Sequence, residues 1–334
     1  MKDKVTLIII LHNRHANLDR LLEFYRDFDF PIVIADSSEK AHSFSEKKDL
    51  VKYIYTPGIT YTQKIELAVN QISTPYVALC ADDDFVIPEG LFECVSFLDQ
   101  HDDYSTAQGL ILRYYKDTIK HQVRFDLLYK GDYSLHSDKP TERLERLFNP
   151  YKSLLYAVHR TSVLQEVFKD AGNAFTNLYL NEYLASIGPV LLGKTMDLPA
   201  LYQVREHSDS SDDKTAINLD IIVKDEKYTQ ELSCFIKHLC EIRPGEIKLD
   251  RKTLREKILS ILKEYTLVIE EYRSLNIPFK KKIGKLVMAV PYIGAHYVRK
   301  KRYEESMKNI QGYLGEGDFK TLKQIEVLLK NEKA

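Results

Sequence analysis

Four short apolar runs, separated by segments of helical spacing or by turns, constrain this chain more than any other feature. VTLIIIL (5–11) is apolar except at Thr6. Such a run suits a strand buried on both faces, as in a parallel sheet. PIVIADSS (31–38), VKYIYT (51–56) and PYVALCA (75–81) repeat the pattern. Between the first two, ANLDRLLEFYRDF (16–28) puts Leu18, Leu21, Leu22 and Tyr25 at helical spacing. Thr60 and Gln63 form a T-x-x-Q capping box ahead of Ile65, Ala68, Val69 and Ile72. Pro88 stands at the favoured first position of a further helix. Strands alternating with helices predict an α/β domain on a doubly wound, mainly parallel sheet. Ligands of such sheets bind beyond the carboxyl ends of the strands. His12-Asn13, Asp36-Ser37-Ser38 and Asp82-Asp83-Asp84 all fall at those ends.

Further along, STAQGLILRYY and KSLLYAVHR predict strands, while TERLERLF and TSVLQEVFKDA predict helices. VLLGKTMDLPALYQV predicts a strand pair joined by a turn. After the polar loop REHSDSSDDKT (205–215) the chain becomes rich in Lys, Glu, Leu and Ile at helical spacing. The expected division is an α/β domain over 1–215 and a helical region over 216–334.

Bulk composition excludes some classes. Lys+Arg 48 against Asp+Glu 49 argues against a general nucleic-acid binder. None of Cys80, Cys94, Cys234 and Cys240 forms a C-x-x-C pair, and the first two sit in apolar segments. Reduced thiols and a cytoplasmic location are the expectation. The opening MKDKVTLIIILHNRH imitates a signal peptide, but its apolar run ends at Leu11 and His12-Asn13-Arg14-His15 follow, so a strand is expected. No run approaches the ~20 apolar residues of a membrane-spanning helix.

The chemistry concentrates in YVALCADDDFVIP (76–88), where an apolar strand runs into three aspartates. Carboxylates this close repel unless a positive charge joins them. Mg²⁺ or Mn²⁺ takes one or two carboxylates and completes its shell with substrate phosphates. The diphosphate of a nucleotide-sugar suits that role, because its departure needs growing negative charge neutralised. The plainer alternative is an acidic turn at the positive end of the next helix.

LIIILHNRHANLDRLLEFY, IVIADSS and TQKIELAVNQISTPYVALCADDDFVIPEGL resemble successive blocks of family 2 glycosyltransferases of the GT-A fold, over roughly residues 4–210. The resemblance implies that Asp84, with Asp82 or Asp83, serves metal and donor diphosphate, and that Asp36 contacts the nucleoside. The common D-x-D-D form would place its first aspartate on Ala81, so the register within the triplet stays open. Lys64, in the first turn of its helix, could reach donor phosphates; an exposed helix lysine is the other reading. TNLYLNEYLASIG (176–188) is similar to the block that carries the catalytic base, which falls on Glu182, with Asn181 where an acidic partner is usual. YQVREHSDSS is similar to the strand returning to the site, which implies His207 as a metal ligand and Arg205 as a phosphate contact; the plainer reading of His207 is a surface residue of a polar loop.

Together these features predict a metal-dependent, inverting glycosyltransferase that uses a nucleotide-sugar, a UDP-sugar first, and a glycan or lipid-linked acceptor. Lys-, Ile- and Tyr-rich composition without Trp suggests bacterial surface polysaccharide or glycolipid assembly. FKKKIGKLVMAVPYIGAHYVRKKR (279–302) has basic ends around an apolar centre and no acidic residue. It suits either an anionic membrane surface, giving a peripheral location on the inner face of the cell membrane, or short core helices. Two other functions remain open. Asp82-Asp83-Asp84-Phe85-Val86 satisfies the D-x-D-x-V motif of haloacid-dehalogenase-type phosphatases, and Ala81 with Asn181 would suit a degenerate GT-A binding module.

Overall fold

The computed structural model describes residues 1–44, 50–117, 122–207, 219–242, 250–288 and 308–330. Its first half follows the apolar runs. Strands β1 (Val5–Leu11), β2 (Ile32–Asp36), β3 (Val51–Tyr55) and β4 (Tyr76–Ala81) are joined through helices α1 (His15–Phe24) and α2 (Tyr61–Val69). They lie in the order β3-β2-β1-β4, all parallel. Every residue of β1 is buried, because both faces of the sheet are covered. Ile8 and Ile10 point into one core, and Val5, Leu7, Ile9 and Leu11 into the other. That division follows from the two-residue period of a strand.

The second half is mixed. The short β5 (Phe85–Val86) leads into α3 (Pro88–Gln100), then β6 (Tyr104–Asp117), β7 (Gln122–Leu127) and α4 (Pro140–Leu147). β8 (Val158–Arg160), α5 (Thr161–Phe168), α6 (Leu178–Leu192) and β9 (Lys194–Glu206) complete it. The sheet continues from β4 through β8, β6 and β9 to β5, and β7 pairs with β6. β8 is antiparallel to β4 and to β6, while β9 is parallel to β6. Two reversals restore direction, so β9 ends on the same edge of the sheet as β1, β2 and β4. Topology alone brings Arg205 and His207 to the aspartates.

Two predicted elements come out differently. Of KSLLYAVHR only Val158–Arg160 is strand; a turn closed by Ala157 N to Leu154 O at 3.0 Å occupies the part before it. VLLGKTMDLPALYQV is the end of α6 followed by one strand, not a strand pair. Pro199, which looked like turn chemistry, sits where the β6–β9 register slips between Gln108↔Asp197 and Leu110↔Leu201. A proline has no N–H to give a ladder, and an irregularity of this kind accommodates it.

The helical region starts with α7 (Leu219–Lys224), α8 (Thr229–Glu241) and α9 (Arg251–Met288), and closes with α10 (Glu316–Lys330). Ile222, Phe235, Leu239 and Ile258 join the core that also holds Ile8, Ile65 and Leu184. Ile310, Leu322 and Ile325 join the opposite core with Leu18 and Leu91. Amphipathic faces of the region are thus spent on both sides of the α/β sheet. The basic segment at 279–302 runs through the end of α9, and from 289 onward it lies outside the described residues. No helix among the described residues is long and apolar enough to cross a membrane.

Candidate active site

A cavity of about 700 Å³ opens at the carboxyl edge of the sheet. Lys64, the three aspartates, Glu182, Arg205 and His207 all line it. Register explains the first contributors. Leu11 pairs with Asp36 and Ile10 with Ala81, so β1, β2 and β4 end level with one another.

The aspartate triplet divides by direction. Asp84 faces inward: its Oδ1 accepts the Glu206 backbone N–H at 2.9 Å, and its Oδ2 accepts from Gln203 Nε2 at 3.1 Å and pairs with Arg205 Nε at 3.2 Å. Burial raises its carboxyl above the usual range against the pull of Arg205. Asp84, expected from sequence as a metal ligand, also lines the cavity, and through these contacts it ties the start of β5 to the end of β9. Asp82 and Asp83 face Arg14. The guanidinium reaches Asp82 Oδ1 through Nη2 at 2.9 Å, Asp82 Oδ2 through Nε at 3.2 Å and Asp83 Oδ2 through Nη1 at 2.8 Å. Burial pushes Asp82 up to about 6, with Arg14 opposing and Asp83 adding to the rise.

Arg14 was not among the residues expected from sequence. Its signal was available: it follows the end of β1, on the edge where the aspartates end β4. Asn13 takes a left-handed conformation, φ 55°, and turns the chain there. Asparagine tolerates that region better than most residues. Its backbone N–H donates to Ser38 Oγ at 2.7 Å, and its side-chain oxygen accepts Glu39 N at 2.9 Å.

Lys64 is buried, not an exposed helix lysine. The capping box expected at Thr60 and Gln63 forms, with Thr60 Oγ1 accepting Gln63 N at 3.2 Å and Gln63 Oε1 accepting Thr60 N at 3.0 Å. It fixes the start of α2 so that Tyr61 and Lys64, three apart, face the cavity. Lys64 Nζ donates to Leu11 O at 2.7 Å and to Ser37 Oγ at 3.0 Å. Burial lowers it to about 8, while the charges of Asp82 and Asp36 oppose the drop.

Asp36 lies outside the cavity lining. It is fully buried, with Oδ1 accepting Ser38 N at 2.7 Å and Oδ2 accepting Tyr53 Oη at 2.6 Å. Those hydrogen bonds hold its carboxyl below the usual range although burial works the other way. As it stands, Asp36 shapes the Ser37-Ser38 turn that receives Lys64 and Asn13.

The far wall comes from α6. Asn177 caps the helix by accepting Tyr179 N at 2.9 Å. Leu178, Tyr179 and Glu182 then share the cavity-facing side. Tyr151 donates its hydroxyl to Glu182 Oε1 at 3.0 Å. Asn181, in the usual place of an acid, is fully buried and donates to Asn177 O at 3.1 Å, so it faces away from the chemistry. Arg205 lies over the Tyr156 ring, 5.1 Å from its centroid. Burial alone would lower this guanidinium, yet Asp84 foremost and then Tyr156 raise it on balance. His207 stands at the rim beside Tyr115, ring centroids 4.5 Å apart, and its N–H donates to Tyr114 O at 2.9 Å.

Among the described residues no group of three or more His, Cys, Asp or Glu is arranged to hold a metal ion. The donor set nonetheless fits a hard divalent cation that completes its shell with substrate oxygens. Asp82 and Asp83 offer carboxylates on the cavity wall, and one or two protein carboxylates are what such a cation takes.

A strand-end acidic cluster over a cavity, on a sheet that is parallel at one side and mixed at the other, is the arrangement of a GT-A fold. The family comparison is specific: residues 6–171 match the model of Glycosyl transferase family 2, so the chain carries a family 2 glycosyltransferase domain over those residues. The phosphatase reading of D-x-D-x-V gives way to it. Among solved structures, S. aureus TarS 1-349 in complex with UDP-GlcNAc is 15% identical, with a TM-score of 0.52 over 93% of this chain and 91% of that one. S. aureus TarS itself is 14% identical, with a TM-score of 0.47 over 87% of this chain and 50% of that one. This chain thus spans about half the length of that protein. GalNAc-T7 with UDP, GalNAc and Mn²⁺ is 14% identical, with a TM-score of 0.44 over 62% of this chain and 44% of that one. At these identities the likeness concerns the fold. No curated protein matches the chain by sequence.

Proposed function

We propose that this glycosyltransferase moves a sugar from a UDP-sugar to an acceptor hydroxyl with inversion at the anomeric carbon. The observation that carries the reading is the single cavity lined by Asp82, Asp83, Lys64, Arg205 and Glu182. One wall offers phosphate-binding charge and the other a carboxylate able to take the acceptor proton. In this reading Glu182 is the base, oriented by Tyr151, whose own proton is held by burial and by the neighbouring carboxylate. Lys64 presents a buried ammonium to the donor diphosphate, and Arg205 adds a second positive charge. Asp36 acts on the nucleoside end only through the turn it holds.

Asp82 and Asp83 are the residues that would hold Mg²⁺ or Mn²⁺, and His207 lines the same cavity. When bound, the cation would neutralise charge growing on the departing nucleoside diphosphate. Charge balance favours it. Four Lys or Arg and five Asp or Glu side chains line the cavity, so a diphosphate alone would leave it strongly negative. UDP is preferred as the carrier because a protein of the same fold is known with UDP-GlcNAc. The acceptor is a glycan or a lipid-linked saccharide, in bacterial surface polysaccharide or glycolipid assembly. A cytoplasmic site of action at the inner face of the membrane agrees with the basic character of 279–302.

The test is nucleotide release. UDP-, GDP- and CMP-sugars are incubated with the full chain, Mn²⁺ and a panel of oligosaccharide and lipid-linked acceptors. UDP release stimulated by one acceptor class is expected. Binding of UDP without release under any condition would favour the degenerate binding module instead.

A further inference from the structure

Lys64, Arg205 and Arg14, three of the cations around the acidic cluster, differ in how firmly they are held. Lys64 is buried and donates to Leu11 O and Ser37 Oγ. Arg205 is held by Asp84 on one side and the Tyr156 ring on the other. Arg14 has a side chain 44% exposed, against 1% for Asp82 and 19% for Asp83. Its guanidinium spans both carboxylates with all three nitrogens, the geometry in which arginine binds acids best. The left-handed turn at Asn13 aims the backbone at them.

We infer that Arg14 is an internal counter-cation, which holds Asp82 and Asp83 closed to a divalent metal until a nucleoside diphosphate draws its guanidinium away. The inference rests on the nucleotide-sugar reading above. Two consequences follow from electrostatics. Without nucleotide, metal must displace Arg14 or sit beside its positive charge, so metal alone binds weakly. With nucleotide, Arg14 exchanges carboxylates for phosphate oxygens, which it also binds as a fork. The residue thereby links metal loading to donor loading and leaves the carboxylates satisfied in the meantime. Lys64 and Arg205 cannot do this, because each is fixed by partners that the donor does not replace.

Removing Arg14 therefore has opposite effects on the two ligands. Mn²⁺ is titrated into the full chain at pH 8 without nucleotide, and free Mn²⁺ is read from its electron paramagnetic resonance signal. Arg14→Gln is expected to bind Mn²⁺ about tenfold more tightly than wild type. The double variant Arg14→Gln/Asp83→Asn is expected to lose that gain. In excess Mn²⁺, calorimetry should show Arg14→Gln binding UDP more weakly than wild type. Equal or weaker Mn²⁺ binding by Arg14→Gln overturns the inference, as does unchanged UDP affinity. Failure of the wild type to bind any nucleotide would instead strike the transferase reading, because the Mn²⁺ comparison does not use nucleotide.

Discussion

The part of the sheet built by β1 to β4 and the part built by β5 to β9 supply the same cavity by different routes. In the first, adjacent parallel strands end level, and the residues just past Leu11, Asp36 and Ala81 become neighbours by register. In the second, Arg205 and Glu182 arrive from a strand and a helix more than a hundred residues along the chain. Beside the β4–β8 pairing, the two parts meet at a seam in the cavity, the contacts of Asp84 with Gln203, Arg205 and Glu206. The lesson is a division of labour. On the function proposed above, the parallel part brings Asp82, Asp83 and Lys64 to a phosphate-bearing donor, and the mixed part brings Glu182 to the acceptor and Arg205 to the donor phosphates.

The division is broken most severely at Glu182. Glu182→Gln keeps the side-chain size and removes the base, so the transfer rate should fall by about 10²–10⁴. UDP affinity, measured by calorimetry, should stay within a factor of a few. A matching loss of UDP affinity would mean that the two parts do not act separately.

Next comes the seam. Asp84→Asn leaves Arg205 without its counter-charge and should lower unfolding free energy by roughly 3 kcal/mol in urea denaturation. Asp83→Asn, one residue away and partly exposed, should cost under about 1 kcal/mol. Equal losses would deny that Asp84 anchors the fold while its neighbour serves the site.

The smallest effect is one of pH. Lys64 has been lowered to about 8, so its ammonium is charged below that value and neutral above it. A diphosphate binds the charged form. Nucleotide affinity should therefore fall about twofold from pH 7 to 8 and about tenfold by pH 9, while Lys64→Met binds weakly with a flat profile across this range. A wild-type profile just as flat would remove Lys64 from the donor site.

The same contrast explains what was readable in the sequence. β1 to β4, the capping box and the aspartate triplet were evident because local patterns encode them: buried runs, helical spacing and a T-x-x-Q start. Glu182 was reached only through family likeness, since nothing local separates it from any helix glutamate. Arg14 was missed because its partners are 68 and 69 residues away. Asp36 is read as a nucleoside contact only through family likeness, and the partners that hold it, among them the Ser38 amide and the Tyr53 hydroxyl, come from a turn and from β3. VLLGKTMDLPALYQV reads as a strand pair because Gly193 and Pro199 punctuate it, yet α6 extends to Leu192 and pairing with β6 keeps Lys194–Glu206 one strand.

The central claim is that one nucleotide site spans the strand ends, and thermal unfolding with UDP, GDP or CMP, each with and without Mn²⁺, tests it most directly. A ligand at ~100 times its dissociation constant adds ~2.7 kcal/mol of stability. A clear upward shift with UDP, larger with Mn²⁺, whose Mn²⁺-dependent part is lost in Asp82→Asn/Asp83→Asn, is the predicted result. No shift with any nucleotide, or a shift that the double variant retains in full, would contradict the account.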